Sequence, residues 1–208
     1  MRCVFDHLVV AAPTLASGVG WVERILGVAP GPGGAHPRMG THNRLLKLGE
    51  STFLEVIAPD PAAPPPGRPR WFGLDEIDAS AEPRLAAWVA RTDDLRAFPD
   101  DVLGPVGPVE TMTRGEREWL ITIPADGRPP RGGALPMLIE WGSPRAPAGA
   151  GLPDAGCALA ALGLRHPQPA LVEGWLRGAG FADRVAIEAG EPGLWAEIVT
   201  PAGTRRLG

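Results

Sequence analysis

Residues 51–59 read STFLEVIAP, an apolar run with one carboxylate, Glu55, four residues ahead of a proline. The same shape returns as PMLIEWGSP at 136–144 and GLWAEIVTP at 193–201, giving the pairs Glu55/Pro59, Glu140/Pro144 and Glu197/Pro201. Each run is rich in the branched and aromatic residues that favour strands, and its proline marks an end to ladder pairing. A lone Glu within such a run is costly unless it is paired, hydrogen-bonded or bound to a cation. Its recurrence points to a repeated unit.

Upstream, HNRLLKLG and STFLEVIAP read as a hairpin around Gly49-Glu50. A two-residue turn opposes Leu46 to Phe53 and Arg44 to Glu55, and sets His42 diagonal to Glu55 on the same face. A three-residue loop reverses that parity and turns His42 and Arg44 away. The shorter turn is expected because it faces Lys47 away from Phe53 and Glu55. Further back, CVFDHLVVAA (3–12) is an apolar run interrupted only by Asp6 and His7, a strand buried on both faces. Period-two alternation puts Phe5, His7 and Val9 on one face. Pro13 and Thr14 then open a helix with Leu15, Val19, Val22 and Leu26 at helical spacing, stopped by Gly27. A Gly/Pro-rich loop (29–40) leads to the hairpin, so the order is β-α-(β)-β-β.

That order recurs. RLAAWVART (84–92), a short helix capped by Asp, then GPVETMT, REWLITIPA and LPMLIEWG form a second unit. CALAALGLRHP, the helix QPALVEGWLRGAG, DRVAIEAG and GLWAEIVTP form a third, shorter one. Trp21 and Trp175 stand 154 residues apart, as do Pro13 and Pro167. Leu15 and Leu95, 80 apart, align the first two units more loosely.

The bulk composition excludes several classes of function. The 208 residues carry a net charge of −4 and a single lysine, and the arginines are scattered among acids. No basic stripe suggests nucleic acid or an anionic membrane, and no apolar stretch is long enough to span a bilayer. The opening MRCVFDHLVV lacks a signal-peptide cleavage pattern. Cys3 and Cys157 show no metal or redox spacing and read as buried thiols of a cytoplasmic protein.

Repeated βαβββ units with an inward His on the first strand and Glu on the last resemble the vicinal oxygen chelate superfamily, which includes glyoxalase I, extradiol dioxygenases and bleomycin-resistance proteins. The string DHLVVAAPTL…VERILGV…GTHNRLLKLG…TFLEVIAPDP, with RWFGLDEI and LIEW beyond it, is similar to glyoxalase-like domain proteins. The fold so implied is α+β: paired βαβββ modules (1–58 and 84–145) whose curved mixed sheets enclose a cavity. A Pro-rich connection (59–83) joins them, and a third, partial βαββ module (146–208) packs alongside.

In that superfamily the first and last strands of each module supply metal ligands. Carried over, His7, Glu55 and Glu140 take three of the four positions, and the remaining one falls at Ala87, which cannot ligate. The resemblance implies a divalent metal (Zn, Mn, Fe(II) or Ni) and no nucleotide cofactor, with Glu55, Glu140 or His42 handling protons. The chain contains no Tyr, which removes that common acid. Arg44, Trp71, Phe72 and Trp119 are candidate substrate contacts, with Trp71 and Phe72 on a loop long enough to form a lid or to plug the core beneath it. For Glu55 the competing reading is a buried ion pair with Arg44. Arg114 and Arg117, in the hairpin beside Trp119, could contact an anionic substrate, but a solvated rim is the preferred reading.

The functional expectation is therefore a metal-dependent lyase, isomerase or dioxygenase acting on a small molecule. The alternative is a metal-free protein that binds or sequesters a small molecule in the same cavity. A homodimer is compatible with either.

Overall fold

The computed structural model describes residues 2–142 and 146–208. Pro144, the proline of the second motif copy, lies outside the described residues. The first unit runs β1 (Cys3–Ala11), α1 (Leu15–Leu26), β2 (Gly31–His36), β3 (Thr41–Lys47) and β4 (Phe53–Pro59). The second runs β5 (Arg84–Thr92), a short helix α2 (Asp100–Leu103), β6 (Val109–Arg114), β7 (Arg117–Thr122) and β8 (Met137–Trp141). The third runs β9 (Ala158–His166), α3 (Pro169–Gly178), β10 (Ala186–Ala189), β11 (Gly193–Thr200) and β12 (Gly203–Leu207). The Gly/Pro-rich stretch read as a loop thus holds an edge strand, β2, and the third unit is one strand longer than expected.

The first two units share one curled mixed sheet of eight strands in the order β2-β3-β4-β1-β5-β8-β7-β6. They join where β1 and β5 pair antiparallel, with His7 opposite Val89 and Val9 opposite Ala87. Each first strand also pairs in parallel with the last strand of its own unit, β1 with β4 and β5 with β8. The third unit forms its own sheet, β10-β9-β11-β12. It contributes Leu164, Leu194 and Ile198 to a core shared with Leu8, Val10, Val56 and Trp88 on the convex face and with Val22 and Leu26 of α1. A smaller core fills the concave face, where Val9, Ile57, Val89, Ile121 and Met137 meet. The continuous apolar runs of β1, β4 and β5 follow from burial on both faces.

Helix α1 begins as the sequence predicts. The Thr14 side chain accepts from the Ser17 backbone N–H while Ser17 reaches back to the cap, and Gly27 closes the helix in the left-handed conformation. Its face opposite solvent docks on β4 so closely that a Cβ at Gly18 would lie 2.5 Å from Val56.

Two local irregularities change which side chains face the concavity. In the β3–β4 hairpin Leu48 N–H donates to the Thr52 carbonyl at 2.9 Å, so Gly49, Glu50 and Ser51 form a three-residue loop. Leu45 then opposes Glu55, and Asn43 opposes Ile57. The expected two-residue register is therefore off by one, and the parity reverses. In β1 a bulge between Phe5 and His7 leaves Asp6 without a partner on β5. Phe5 consequently joins the convex core and not the face of His7 and Val9.

Candidate functional site

The concave face forms a cavity in which about 40 Å³ is open to the centres of water molecules. Its lining includes His7, His36, Asn43, Glu55 and Arg114 among aromatic walls of Phe53, Trp71, Phe72, Trp119 and Trp141. The polar groups form a chain. Asp6, fully buried behind His7, accepts from His7 Nδ1 at 2.6 Å, an assignment that leaves Nε2 facing inward. That Nε2 lies 3.7 Å from Glu55 Oε2. Glu55 Oε1 in turn accepts from Asn43 Nδ2 at 2.5 Å. The His7 ring is stacked on Phe53 at 4.4 Å, which fixes its plane.

Asp6 is satisfied on its other oxygen as well. Trp141 Nε1 donates to Oδ2 at 3.0 Å, and the Arg91 guanidinium stands 3.5 Å away while donating to the Phe5 carbonyl and to Ser51 Oγ. A donor on each oxygen and a cation nearby offset the cost of burying this carboxyl group. The third unit takes part too, because Asp183 accepts from the Phe5 N–H at 2.7 Å and so occupies a donor freed at the bulge.

Of the residues singled out from sequence, His7, Glu55, Trp71, Phe72 and Trp119 meet in this cavity. His42 and Arg44 do not. The reversed parity carries them to the convex face, into a groove beside α1 with Thr14, Leu15 and Glu23. The expected Glu55–Arg44 pair is therefore replaced by Glu55–Asn43. Glu140 is also carried away from the cavity. On β8 it is Met137, Ile139 and Trp141 that belong to the concave core, while Leu138 and Glu140 point outward. There Glu140 accepts from the Leu95 N–H at 2.8 Å and caps the turn after β5.

Trp71 and Phe72 are buried and not an exposed lid. Trp71 Nε1 donates to Thr41 Oγ1, and Phe72 sits at φ 60°, a strained left-handed conformation held by its packing. Sequence reading missed Asp6, His36, Asn43 and Trp141, and it preferred a solvated rim for Arg114, which lines the cavity. Asp6 had a signal, a carboxylate adjacent to His7 in an otherwise apolar strand. His36 had none, lying in a Gly/Pro stretch without periodicity.

Burial pushes the His36 imidazole down to about 4, against the opposing pull of the Glu55 charge, so it is neutral near pH 7. It meets Trp71 and Trp119 edge-on. Burial also holds the Arg114 guanidinium below the ordinary arginine range, again with Glu55 pulling the other way. Arg114 Nη1 is buried without a hydrogen-bond partner among the described residues.

Side chains of the two edge strands meet beside the mouth of the cup. Edge strands β2 and β6 are not hydrogen-bonded to each other, yet a Cβ at Gly34 would come within 3.2 Å of Arg114. Beside them Glu110 of β6 binds two arginines, Arg68 at 2.5 Å and Arg38, and Arg38 also donates to the Thr111 carbonyl.

A curled sheet of paired βαβββ units around one polar-centred cavity defines a glyoxalase-like fold of the vicinal oxygen chelate superfamily. The chain matches the family described as "Glyoxalase-like domain" over residues 5–180, and it belongs to that family. Among solved structures, a hypothetical protein from Staphylococcus aureus superposes with a TM-score of 0.59 at 15% identity, covering 99% of this chain and 85% of that one. Methylmalonyl-CoA epimerase from Mycobacterium tuberculosis gives 0.43 at 19% identity, over 65% and 85%. No curated protein sequence matches.

Members of this superfamily often use a divalent metal, and the donor set here can be tested against one. Of the positions expected to supply ligands, His7 and Glu55 face the cavity, but Ala87 and Ile139 occupy the cavity-facing places on β5 and β8. Among the described residues no three His, Cys, Asp or Glu side chains are grouped to hold an ion. The residues present do not fit the superfamily's four-ligand site. No helix of the described residues is long and apolar enough to cross a membrane.

Proposed function

We propose that the protein is an enzyme that moves a proton on a small carbonyl compound, using His7 and Glu55 directly. The observation that carries this reading is the Asp6–His7 contact at 2.6 Å with Nε2 turned towards Glu55 Oε2, inside an aromatic-walled cavity. Asp6 holds the proton on Nδ1 and stabilises the imidazolium, which makes Nε2 the base. His7 Nε2 takes the proton from a carbon next to a carbonyl, and the C–H electron pair moves into the carbonyl to give an enolate. The protonated His7 Nε2 passes that proton to Glu55 Oε2, and Glu55, oriented by Asn43, delivers it to the enolate at a neighbouring atom, so that both groups return to their starting states. Both groups lie on adjacent strands, β1 and β4, so removal and return occur on one face of the substrate. That geometry suits an isomerisation. The exclusion of water by Phe53, Trp71 and Trp119 strengthens each charge interaction in the cavity.

The test is solvent exchange. A panel of small ketones, aldehydes and oxo acids is incubated with the protein in D₂O and followed by proton NMR for loss of C–H signal. Exchange with at least one compound, abolished in folded His7→Gln and Glu55→Gln, is the expected result. Exchange that survives both substitutions, or none across the panel, overturns the reading.

A further inference from the structure

We infer that the cavity selects a short monocarboxylate, held by Arg114. The inference rests on the proton-transfer reading for what happens next to the carboxylate, but its own evidence is separate. Arg114 projects from the end of β6 into the same cavity as His7 and Glu55, and its Nη1 is buried with no partner among the described residues. Every other arginine near the mouth has an acceptor: Arg38 and Arg68 share Glu110, and Arg70 binds Asp75. Arg117, the first residue after the Gly115-Glu116 turn, lies over the outer Trp141 ring and donates to the Ala146 carbonyl. A buried guanidinium N–H left unsatisfied is costly, and a planar carboxylate satisfies it with matched geometry.

Charge and size narrow the class. Glu55 shares the cavity and Asp6 stands behind His7, so the lining tolerates one added negative charge far better than two, which disfavours phosphate dianions and dicarboxylates. The 40 Å³ open to water centres has room for roughly three water molecules. An occupant of a few heavy atoms fits without displacing the aromatic walls. Gly34 keeps this arrangement open, because a side chain there would meet the guanidinium at 3.2 Å. Arg114 is thus the specificity residue, and His7 with Glu55 act on the carbon beyond the carboxylate.

The probes are pyruvate, propionate and inorganic phosphate, titrated by calorimetry against wild type, Arg114→Met, Arg114→Lys and His7→Gln, each checked for folding by circular dichroism. Binding of pyruvate or propionate that falls at least tenfold in Arg114→Met and less in Arg114→Lys supports the inference. Retention of that binding in His7→Gln separates it from the proton-transfer reading, which can fail while carboxylate capture stands. Equal or tighter binding of phosphate overturns the carboxylate assignment. Absence of carboxylate binding, or binding indifferent to Arg114→Met in the folded variant, overturns the site.

Discussion

Asn43 Nδ2 and Glu55 Oε1 meet at 2.5 Å across the β3–β4 pair, both buried. This contact exists because the hairpin turns through three residues, and it supplies Glu55 with the donor that a carboxylate in an apolar strand requires. Replacing Asn43 by Leu removes the donor and leaves an acceptor buried. We expect a loss of about 1–3 kcal/mol in urea unfolding. Asn43→Asp removes the same donor and sets a second carboxylate against Glu55, and is expected to destabilise at least as much as Asn43→Leu in the same measurement.

Asp6 fixes which ring nitrogen of His7 carries the proton. Asp6→Asn preserves shape and can still accept from Trp141, but it no longer stabilises an imidazolium. Solvent exchange of the substrate C–H should fall by about 10²–10⁴-fold while the thermal midpoint changes little. A wild-type exchange rate in this variant would assign the base elsewhere.

His36 gives the fold a specific pH dependence. Its folded value is about 4 against 6.5 for the free side chain, because burial disfavours the charged ring. Between those values the unfolded chain binds more protons than the folded one, so stability falls as pH drops from 6.5 through 4 and is fully restored above 6.5. The effect is on the order of 3 kcal/mol. Unfolding curves of wild type and His36→Gln, compared at pH 7 and pH 4, should show a distinctly smaller acid loss in the variant. Parallel losses would place the acid sensitivity in other groups.

The contact beside the mouth of the cup rests on Glu110. Glu110→Gln releases Arg38 and Arg68 from their shared carboxylate, at a stability cost under about 1 kcal/mol because the pairs are partly exposed. Trp71 and Trp119 line the cavity behind this contact. Their fluorescence should become more accessible to acrylamide in the variant, and added salt should produce the same change in the wild type.

The module order and α1 were legible because helical spacing, a Thr14 cap and a terminal Gly27 are local signals. What the sequence hid was parity. The run MLIEW is apolar on both faces, so nothing in it said that Ile139 and not Glu140 meets the cavity. The count of turn residues after Leu48 and the bulge at Asp6 each reverse a face, and neither leaves a mark in composition. His7 and Glu55 were found because each is a polar residue in a strand buried on both sides. Arg114 looked like a hairpin rim since only the curl of the eight-stranded sheet, a long-range property, brings β6 round to β2.

The bulge at Asp6 also bears on how the chain could be dissected. It lets one strand deliver two consecutive side chains to the same chemistry, and the backbone N–H beside it is claimed by Asp183, 178 residues downstream. Cys3 is likewise hydrogen-bonded to Gly180 and Ala182. The C-terminal unit therefore acts as a splint for the opening strand. Excising residues 158–208 would leave every cavity-lining side chain in the polypeptide yet remove the brace that aims Asp6 at His7.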